Sequence, residues 1–231
     1  MNIEGEDFPD AQISSIELEA STLTALRKMP VDIFDNVYVG ETRDTALVLC
    51  IDIRNFSSFL RDNAENAVFA LIKDFTSNFL SCVNQIGCGS SYYKLLGDGA
   101  LVIWDDSDEK SLQEALEVFT VFTDFLTEDL FVNSPALGLA GALVMEKVFK
   151  YEISAEVSGL KYRDYVGYGI NLACRLQTLA EKDELIINKK LVTDKNLPFT
   201  LKEESKMLQA LRLLKGVKDE DEAAVYMYKR P

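Results

Sequence analysis

An unbroken apolar run, Ala46-Leu-Val-Leu-Cys-Ile51, separates a polar stretch from a short Asp-Ile-Arg-Asn segment. A run of this length without alternation predicts a buried strand, ending at Asp52. Ser57 is suited to cap a helix, and Phe59, Leu60, Val68, Leu71, Ile72, Phe75, Phe79 and Val83 then recur at helical spacing. They predict one long helix to about Ile86 with that set as its core face, stopped by Gly87 and Gly89. Ser91-Tyr-Tyr-Lys-Leu-Leu96 and Ala100-Leu-Val-Ile-Trp104 flank Gly97-Asp98-Gly99, the pattern of a hairpin with a tight turn. Ser107 opens a second helical period through about Phe131, and residues 136–148 read as a long strand. The order β-α-β-β-α-β predicts an α+β, ferredoxin-like arrangement, an antiparallel-rich sheet with helices on one face. Downstream, the pattern predicts a helix near 169–179, a strand at 185–188 and a terminal strand pair around Thr200 and residues 224–228. Mixed charges over 215–222 read as an exposed loop. Upstream, Ser14, Ile16, Leu18, Leu23, Leu26 and Met29 fit one amphipathic helix ended by Pro30. The expected division is an N-terminal helical arm, 1–44, and a single domain, 45–231.

Composition narrows what such a domain does. A chain of 231 residues supports one sizeable core. Its 24 Lys and Arg stand against 38 Asp and Glu, a net charge of −14 that repels a polyanionic backbone and makes nucleic acid a poor partner. A single nucleotide remains compatible, because a few local cations or a metal ion overcome the global field within a cleft. The acidic start lacks the features of a secretory signal, and no apolar run reaches membrane-spanning length, so a cytoplasmic protein without a membrane segment is expected. Cys50, Cys82, Cys88 and Cys174 show no C-x-x-C spacing and read as reduced structural thiols. With no histidine in the chain, imidazole bases and His-ligated metals are excluded, and any metal chemistry rests on carboxylates, which favour Mg²⁺ or Mn²⁺.

Several residues have the chemistry for a site, each with a blander reading beside it. Asp52 ends a buried strand, and Asp98 sits in the turn of a hairpin expected to pair with it. Both carboxylates then reach one sheet edge and suit two divalent ions, with the Ile53 carbonyl as an extra ligand. Aspartates at strand ends and turns are also common structural residues. Arg54-Asn55-Phe56-Ser57 leads into a helix and offers backbone N–H groups to phosphate, as most strand-to-helix turns do. Asn171 and Arg175 share one helical face opposite Leu172, Leu176 and Leu179, either an ordinary solvated face or an amide and cation suited to a ribose and a phosphorane. Lys94 and Asp164 form either an ion pair or a donor and acceptor able to read a base edge.

Taken together, Cys50-Ile-Asp-Ile-Arg-Asn-Phe-Ser57, Lys94-Leu-Leu-Gly-Asp-Gly99 and Asp164-Tyr-Val-Gly-Tyr-Gly-Ile-Asn-Leu-Ala-Cys-Arg175 resemble, in order and spacing, three motifs of class III nucleotidyl cyclases. The resemblance covers roughly residues 45–228. It implies conversion of a nucleoside triphosphate to a 3′,5′-cyclic monophosphate and pyrophosphate. It also implies two divalent ions, Mn²⁺ or Mg²⁺, on Asp52, Ile53 and Asp98. Lys94 and Asp164 would read the base, Asn55, Phe56 and Ser57 would lie at the phosphates, and Asn171 and Arg175 would serve the transition state. The family's sites lie between two cyclase domains, so a homodimer with two shared sites is implied. Departures from the family pattern are Asn55 in place of glycine, residues 140–149 in place of a glycine-rich strand and hairpin, and Ala224 in place of a lysine, for which Lys215 or Lys218 is a substitute. The stand-alone layout and the run from Gly97 to Trp104 also resemble the pyrimidine cyclases of bacterial Pycsar anti-phage systems, which work with a separate cyclic-nucleotide-responsive effector. The expected base is uracil, then cytosine, with adenine as the alternative; bulky Tyr92, Tyr93 or Tyr165 would shorten the pocket. A catalytically silent cyclase-like module and an unrelated ferredoxin-like interaction domain are the competing classes. The first usually loses a metal aspartate or the transition-state pair, which this chain keeps.

Overall fold

The computed structural model describes Thr24 and residues 36–155, 160–195, 197, 202–203 and 226–229. The amphipathic segment ending at Pro30, the loop at 215–222, Thr200 and Ala224 lie outside the described residues. Eight strands form one sheet in the order β2-β3-β1-β4-β6-β8-β7, with β5 paired to β4. These are β1 (Asn36–Arg54), β2 (Tyr92–Leu95), β3 (Gly99–Trp104), β4 (Gly138–Ala155), β5 (Leu160–Val166), β6 (Glu184–Ile187), β7 (Lys202–Glu203) and β8 (Tyr226–Lys229). The helices are α1 (Phe56–Asp62), α2 (Glu65–Gln85), α3 (Glu109–Phe125), α4 (Tyr168–Gln177) and α5 (Lys189–Asp194), with a π-helical turn over Leu126–Leu130 after α3. The expected hairpin, terminal strand pair and βαββαβ order are all present, and β2-β3-β1-β4 is antiparallel throughout.

Alternation along β1 explains how the helices are arranged. Leu47, Leu49, Ile51 and Ile53 pack with Phe75, Phe79, Phe119 and Phe122 from α2 and α3 on one face. Ala46, Val48 and Cys50 pack with Leu172, Ala173 and Leu176 of α4 on the other. The sheet is therefore covered on both faces, not on one as the element order alone implied. A strand buried on two sides has no use for alternation, which is why Ala46 to Ile51 is continuously apolar.

Several boundaries differ from the sequence pattern, each for a physical reason. β1 begins at Asn36, inside the stretch read as a helical arm. Its outer part is polar, and pairing with β4 is reinforced by Lys150–Glu41 (3.4 Å) and Lys147–Asp44 (2.8 Å) contacts, while Arg43 reaches Asp105 at the end of β3 (3.1 Å). The single helix expected from Ser57 is two: Asn63 turns extended and its side chain donates to the Phe59 carbonyl at 2.9 Å, closing α1. The break resets the helical phase, leaving Leu60 43% and Ile72 38% exposed instead of in the core. α3 starts after Asp108, whose carboxylate accepts from the Ser111 N–H at 2.7 Å, so Asp108 is the cap rather than Ser107.

β5 had no clear sequence signature, because charged and aromatic residues alternate through it. Its residues nonetheless touch β2, at the far edge of the sheet, so the β4–β5 hairpin folds back over the face that carries α4. β1 shifts register against β4 between Arg43 and Ala46, next to the point where β5 pairing begins at Phe149. A bulge there bends the long ribbon. Gly167 then turns the chain from β5 into α4 with φ at 147°, where an added Cβ would lie 2.9 Å from the Lys147 carbonyl oxygen.

The two-faced core distinguishes positions that look alike in sequence. Phe122→Ala should cost about 3–5 kcal/mol, by loss of a fully buried ring packed on Phe75 and Phe79. Leu60→Ala should cost less than about 1 kcal/mol. Urea denaturation followed by circular dichroism separates the two.

Candidate active site

The hairpin brings the two expected carboxylates together. Asp52 is the register partner of Gly99, and the Ile53 N–H donates to the Asp98 carbonyl oxygen at 3.2 Å. Gly99 is required by the close approach: a Cβ there would meet the Ile51 carbonyl oxygen at 2.4 Å and the Asp52 carboxylate at 3.2 Å. Burial, and next the negative charge of Asp98, raise the Asp52 pKa; the Arg54 guanidinium opposes that rise. A carboxylate whose charge is disfavoured by burial and by a neighbouring carboxylate is relieved by a cation between the two. Among the described residues no cluster of three or more acidic or cysteine side chains forms, so the protein offers two hard carboxylates and leaves other positions to backbone, water or ligand. That donor set fits Mg²⁺ or Mn²⁺.

The turn after Asp52 explains one departure from the family pattern. Asn55 has φ 63° and ψ 14°, the left-handed conformation that glycine supplies most easily and asparagine tolerates. Its side chain donates to the Ala136 carbonyl at 2.7 Å, fixing the turn. Asn55, not Ser57, occupies the cap position of α1. Phe56 is buried in the core and stacks on Phe59, so only its backbone is available to a ligand, while Ser57 is exposed.

Arg54, which sequence reasoning treated only as part of this turn, ties the site together. Its Nε donates to the Ala180 carbonyl at 2.8 Å, its Nη2 donates to the Gln177 carbonyl, and its Nη1 lies 3.5 Å from Asp52. The guanidinium thus joins the Asp52 strand end to the C-terminus of α4, where a cation complements the helix dipole. The signal for it was available: a cation two residues beyond Asp52 lies on the same face of the strand.

Lys94 and Asp164 form a direct pair, with Nζ 2.7 Å from Oδ2. Of the tyrosines around this pair, Tyr92 and Tyr165 are among those expected from the sequence, and Tyr162 is not. Asp164 also accepts from the Tyr162 hydroxyl on Oδ2 at 2.7 Å, and on Oδ1 from the Tyr92 hydroxyl and the Tyr165 N–H, both at 2.8 Å. Burial alone would raise its pKa, but the bonds from Lys94, Tyr162, Tyr92 and Tyr165 outweigh that and hold it at about 2. Tyr92 and Tyr165 rings contact each other at 5.2 Å, and the Tyr165 hydroxyl donates to Asp105 at 2.8 Å. Tyr93, the third tyrosine expected to crowd a base, is 52% exposed on the opposite side of β2.

On α4, Asn171 is exposed and Arg175 half-buried on one face, while Leu172, Ala173 and Leu176 are buried. Among the described residues Arg175 has no carboxylate partner. Cys50 and Cys174 lie 3.5 Å apart as free thiols between β1 and α4, within the second core. Lys215 and Lys218 fall outside the described residues.

Because the folded pKa of Asp164 is depressed to about 2, its contribution to stability is complete above the ordinary value of 3.8 and is lost as pH falls through that range. Between about pH 5 and pH 2 the wild type should lose on the order of 2 kcal/mol more than Asp164→Asn, read from urea midpoints at each pH.

No family model matches the chain, and no curated protein matches it in sequence. Solved structures do. The adenylyl cyclase CyaB from P. aeruginosa superposes with TM-score 0.65 at 18% identity, over 83% of this chain and 97% of that one. The catalytic core of a rhodopsin-guanylyl cyclase with converted specificity, in complex with ATPαS, gives 0.64 at 14% identity over 83% and 97%. The guanylate cyclase domain of RhGC from Catenaria anguillulae, in complex with GTP, gives 0.62 at 14% identity over 83% and 100%. No helix among the described residues is long and apolar enough to cross a membrane. At these identities the likeness is one of architecture, and the chain has the fold of class III adenylyl and guanylyl cyclase catalytic domains.

Proposed function

We propose that the chain is a nucleotidyl cyclase that converts a nucleoside triphosphate to its 3′,5′-cyclic monophosphate and pyrophosphate, as a homodimer with two shared sites. The observation that carries the reading is the convergence of Asp52 and Asp98 on one sheet edge, on a scaffold that also holds a Lys94–Asp164 pair and an exposed Asn171/Arg175 face. Two divalent ions bound by these carboxylates, with the Ile53 carbonyl, would supply a lower pKa for the ribose 3′ hydroxyl and neutralise triphosphate charge. The protein's own groups do the rest. The Arg54–Ser57 turn, locked by Asn55, directs backbone N–H groups toward phosphate oxygens. Asn171 orients the ribose, and Arg175, free of any described carboxylate, stabilises charge on the α-phosphoryl oxygens. No side-chain base is needed.

The favoured substrate is a pyrimidine triphosphate, uridine before cytidine, and the cyclic product would act on a separate responsive effector in phage defence. The crowding of Tyr92, Tyr162 and Tyr165 around Asp164 supports the smaller ring. Adenine is the second reading, since N1 and N6 present the same acceptor and donor to a Lys–Asp pair as cytosine N3 and N4 do.

Incubation with each of the four triphosphates and Mn²⁺, followed by mass identification of the product, should yield cyclic UMP as the main species. Cyclic AMP alone would overturn the pyrimidine choice, and no cyclic product would overturn the enzyme. Asp52→Asn and Arg175→Ala should each be inactive as homodimers. After subunit exchange their equimolar mixture should recover about one quarter of wild-type activity, because half of the dimers carry one intact site of two. An inactive mixture with proven exchange would place the whole site within one chain.

A further inference from the structure

We propose that Tyr162 is a specificity-determining residue: its hydroxyl oxygen, not the carboxylate of Asp164, is the acceptor that meets the base. The inference rests on the cyclase reading above. An ionised carboxylate accepts hydrogen bonds through two oxygens, and in Asp164 each oxygen already takes two donors: Lys94 and Tyr162 on Oδ2, Tyr92 and the Tyr165 N–H on Oδ1. Asp164 is also buried, at 7% relative exposure. Its lone pairs are therefore spent within the chain.

The outer groups of the cluster are different. Tyr162 is 41% exposed, and the Lys94 side chain is 41% exposed as well. Tyr162 follows the period of the strand: two residues before Asp164, it lies on the same face of β5, and its ring leans on Tyr151 at 6.1 Å. A phenol that donates its proton to a carboxylate keeps its own oxygen lone pairs, and those lone pairs become better acceptors for the donation. The exposed pair of Lys94 ammonium and Tyr162 oxygen thus repeats the donor–acceptor pattern of Lys94 and Asp164. It does so one hydrogen bond, 2.7 Å, further out.

That displacement has a consequence for the substrate. With the ribose and triphosphate fixed by the rest of the site, a recognition edge moved outward shortens the distance available to the base. A purine carries its hydrogen-bonding edge one ring further from the ribose than a pyrimidine does, so the relay through Tyr162 selects the single ring. Uracil N3–H and cytosine N4–H both find the Tyr162 oxygen, while O4 and N3 respectively find Lys94.

Tyr162→Phe deletes the relay oxygen and reopens one acceptor site on Asp164, at the depth a purine reaches. The kcat/KM ratio of UTP to ATP should fall at least about tenfold relative to wild type, the effect of one well-made hydrogen bond, with the change carried by KM. Tyr162→Leu removes the ring as well and should shift the ratio further. Tyr92→Phe, which touches only the inner oxygen, should move all four triphosphates together. The same ratio is read without turnover from calorimetric binding of 3′-deoxyuridine and 3′-deoxyadenosine triphosphates, which lack the attacking hydroxyl. A wild type that binds both analogues but cyclises nothing refutes the enzymatic reading and still tests Tyr162. A ratio unchanged in Tyr162→Phe, or shifted toward uracil, overturns the proposal.

Discussion

The structure depends on a central strand that is apolar on both faces and stops abruptly at a charge. β1 is flanked by β3 and β4, covered by α2 and α3 on one side and by α4 on the other, and its residues from Ala46 to Ile51 are almost fully buried. Burial of such a strand contributes tens of cal/mol for each Å² removed from water and fixes its register, because a one-residue slip would exchange its two cores. Asp52 is the first residue past that constraint. It has no freedom to move along the sheet, and its carboxylate lies wherever the register with Gly99 puts it. A half-buried carboxylate held this rigidly is costly when ionised, and that cost is the reason it suits a cation.

The same constraint explains which features were legible from sequence. The apolar run, the Gly-Asp-Gly turn and the helical spacing of Phe75, Phe79 and Val83 follow local rules, so the βαββαβ order and the neighbouring positions of Asp52 and Asp98 could be read directly. The break at Asn63 could not, because one side chain bonding to a carbonyl four residues back leaves no periodic trace. Coverage of both sheet faces was implicit in the lack of alternation from Ala46 to Ile51, yet the element order favoured one face. β5 was hidden by composition: Leu160-Lys-Tyr-Arg-Asp-Tyr-Val166 has no apolar side because its inner surface is a polar cluster. The pairing of Lys94 with Asp164 was legible through motif spacing, and Tyr162 and Tyr165 neighbour Asp164 within β5, whereas their convergence with Tyr92 of the distant β2 on one carboxylate had no sequence relation to betray it.

Electrostatics then connects the two halves of the site. The chain carries a net charge of −14, so on the proposed reading a triphosphate would approach against the overall field, and local cations would have to reverse it. Arg54 is committed internally: it is held by the Gln177 and Ala180 carbonyls and faces Asp52. Its charge lowers the cost of ionising Asp52 and neutralises the C-terminal end of α4, but it offers little to an incoming anion. Lys94 is likewise committed to Asp164. Among the cations of the two motif strands and α4, Arg175 alone lacks a described carboxylate partner, and it sits on the exposed face of that helix beside Asn171.

This division of labour constrains how the site is completed. A single chain presents a carboxylate edge fixed by strand register and, on α4, a cation with no described carboxylate partner, and Arg54 ties the C-terminal end of that helix to the Asp52 strand end. On the proposed cyclase reading, anion charge gathered at the carboxylate edge would be met by divalent cations and by a guanidinium. In the proposed homodimer a second copy would supply that guanidinium with no new residue, because a twofold that brings Arg175 of one protomer to Asp52 of its partner also performs the reverse. On the proposed reading the acidity of the whole molecule would be compatible with a nucleotide site, since the field within a small cleft is set by the few cations and metal ions nearest the ligand.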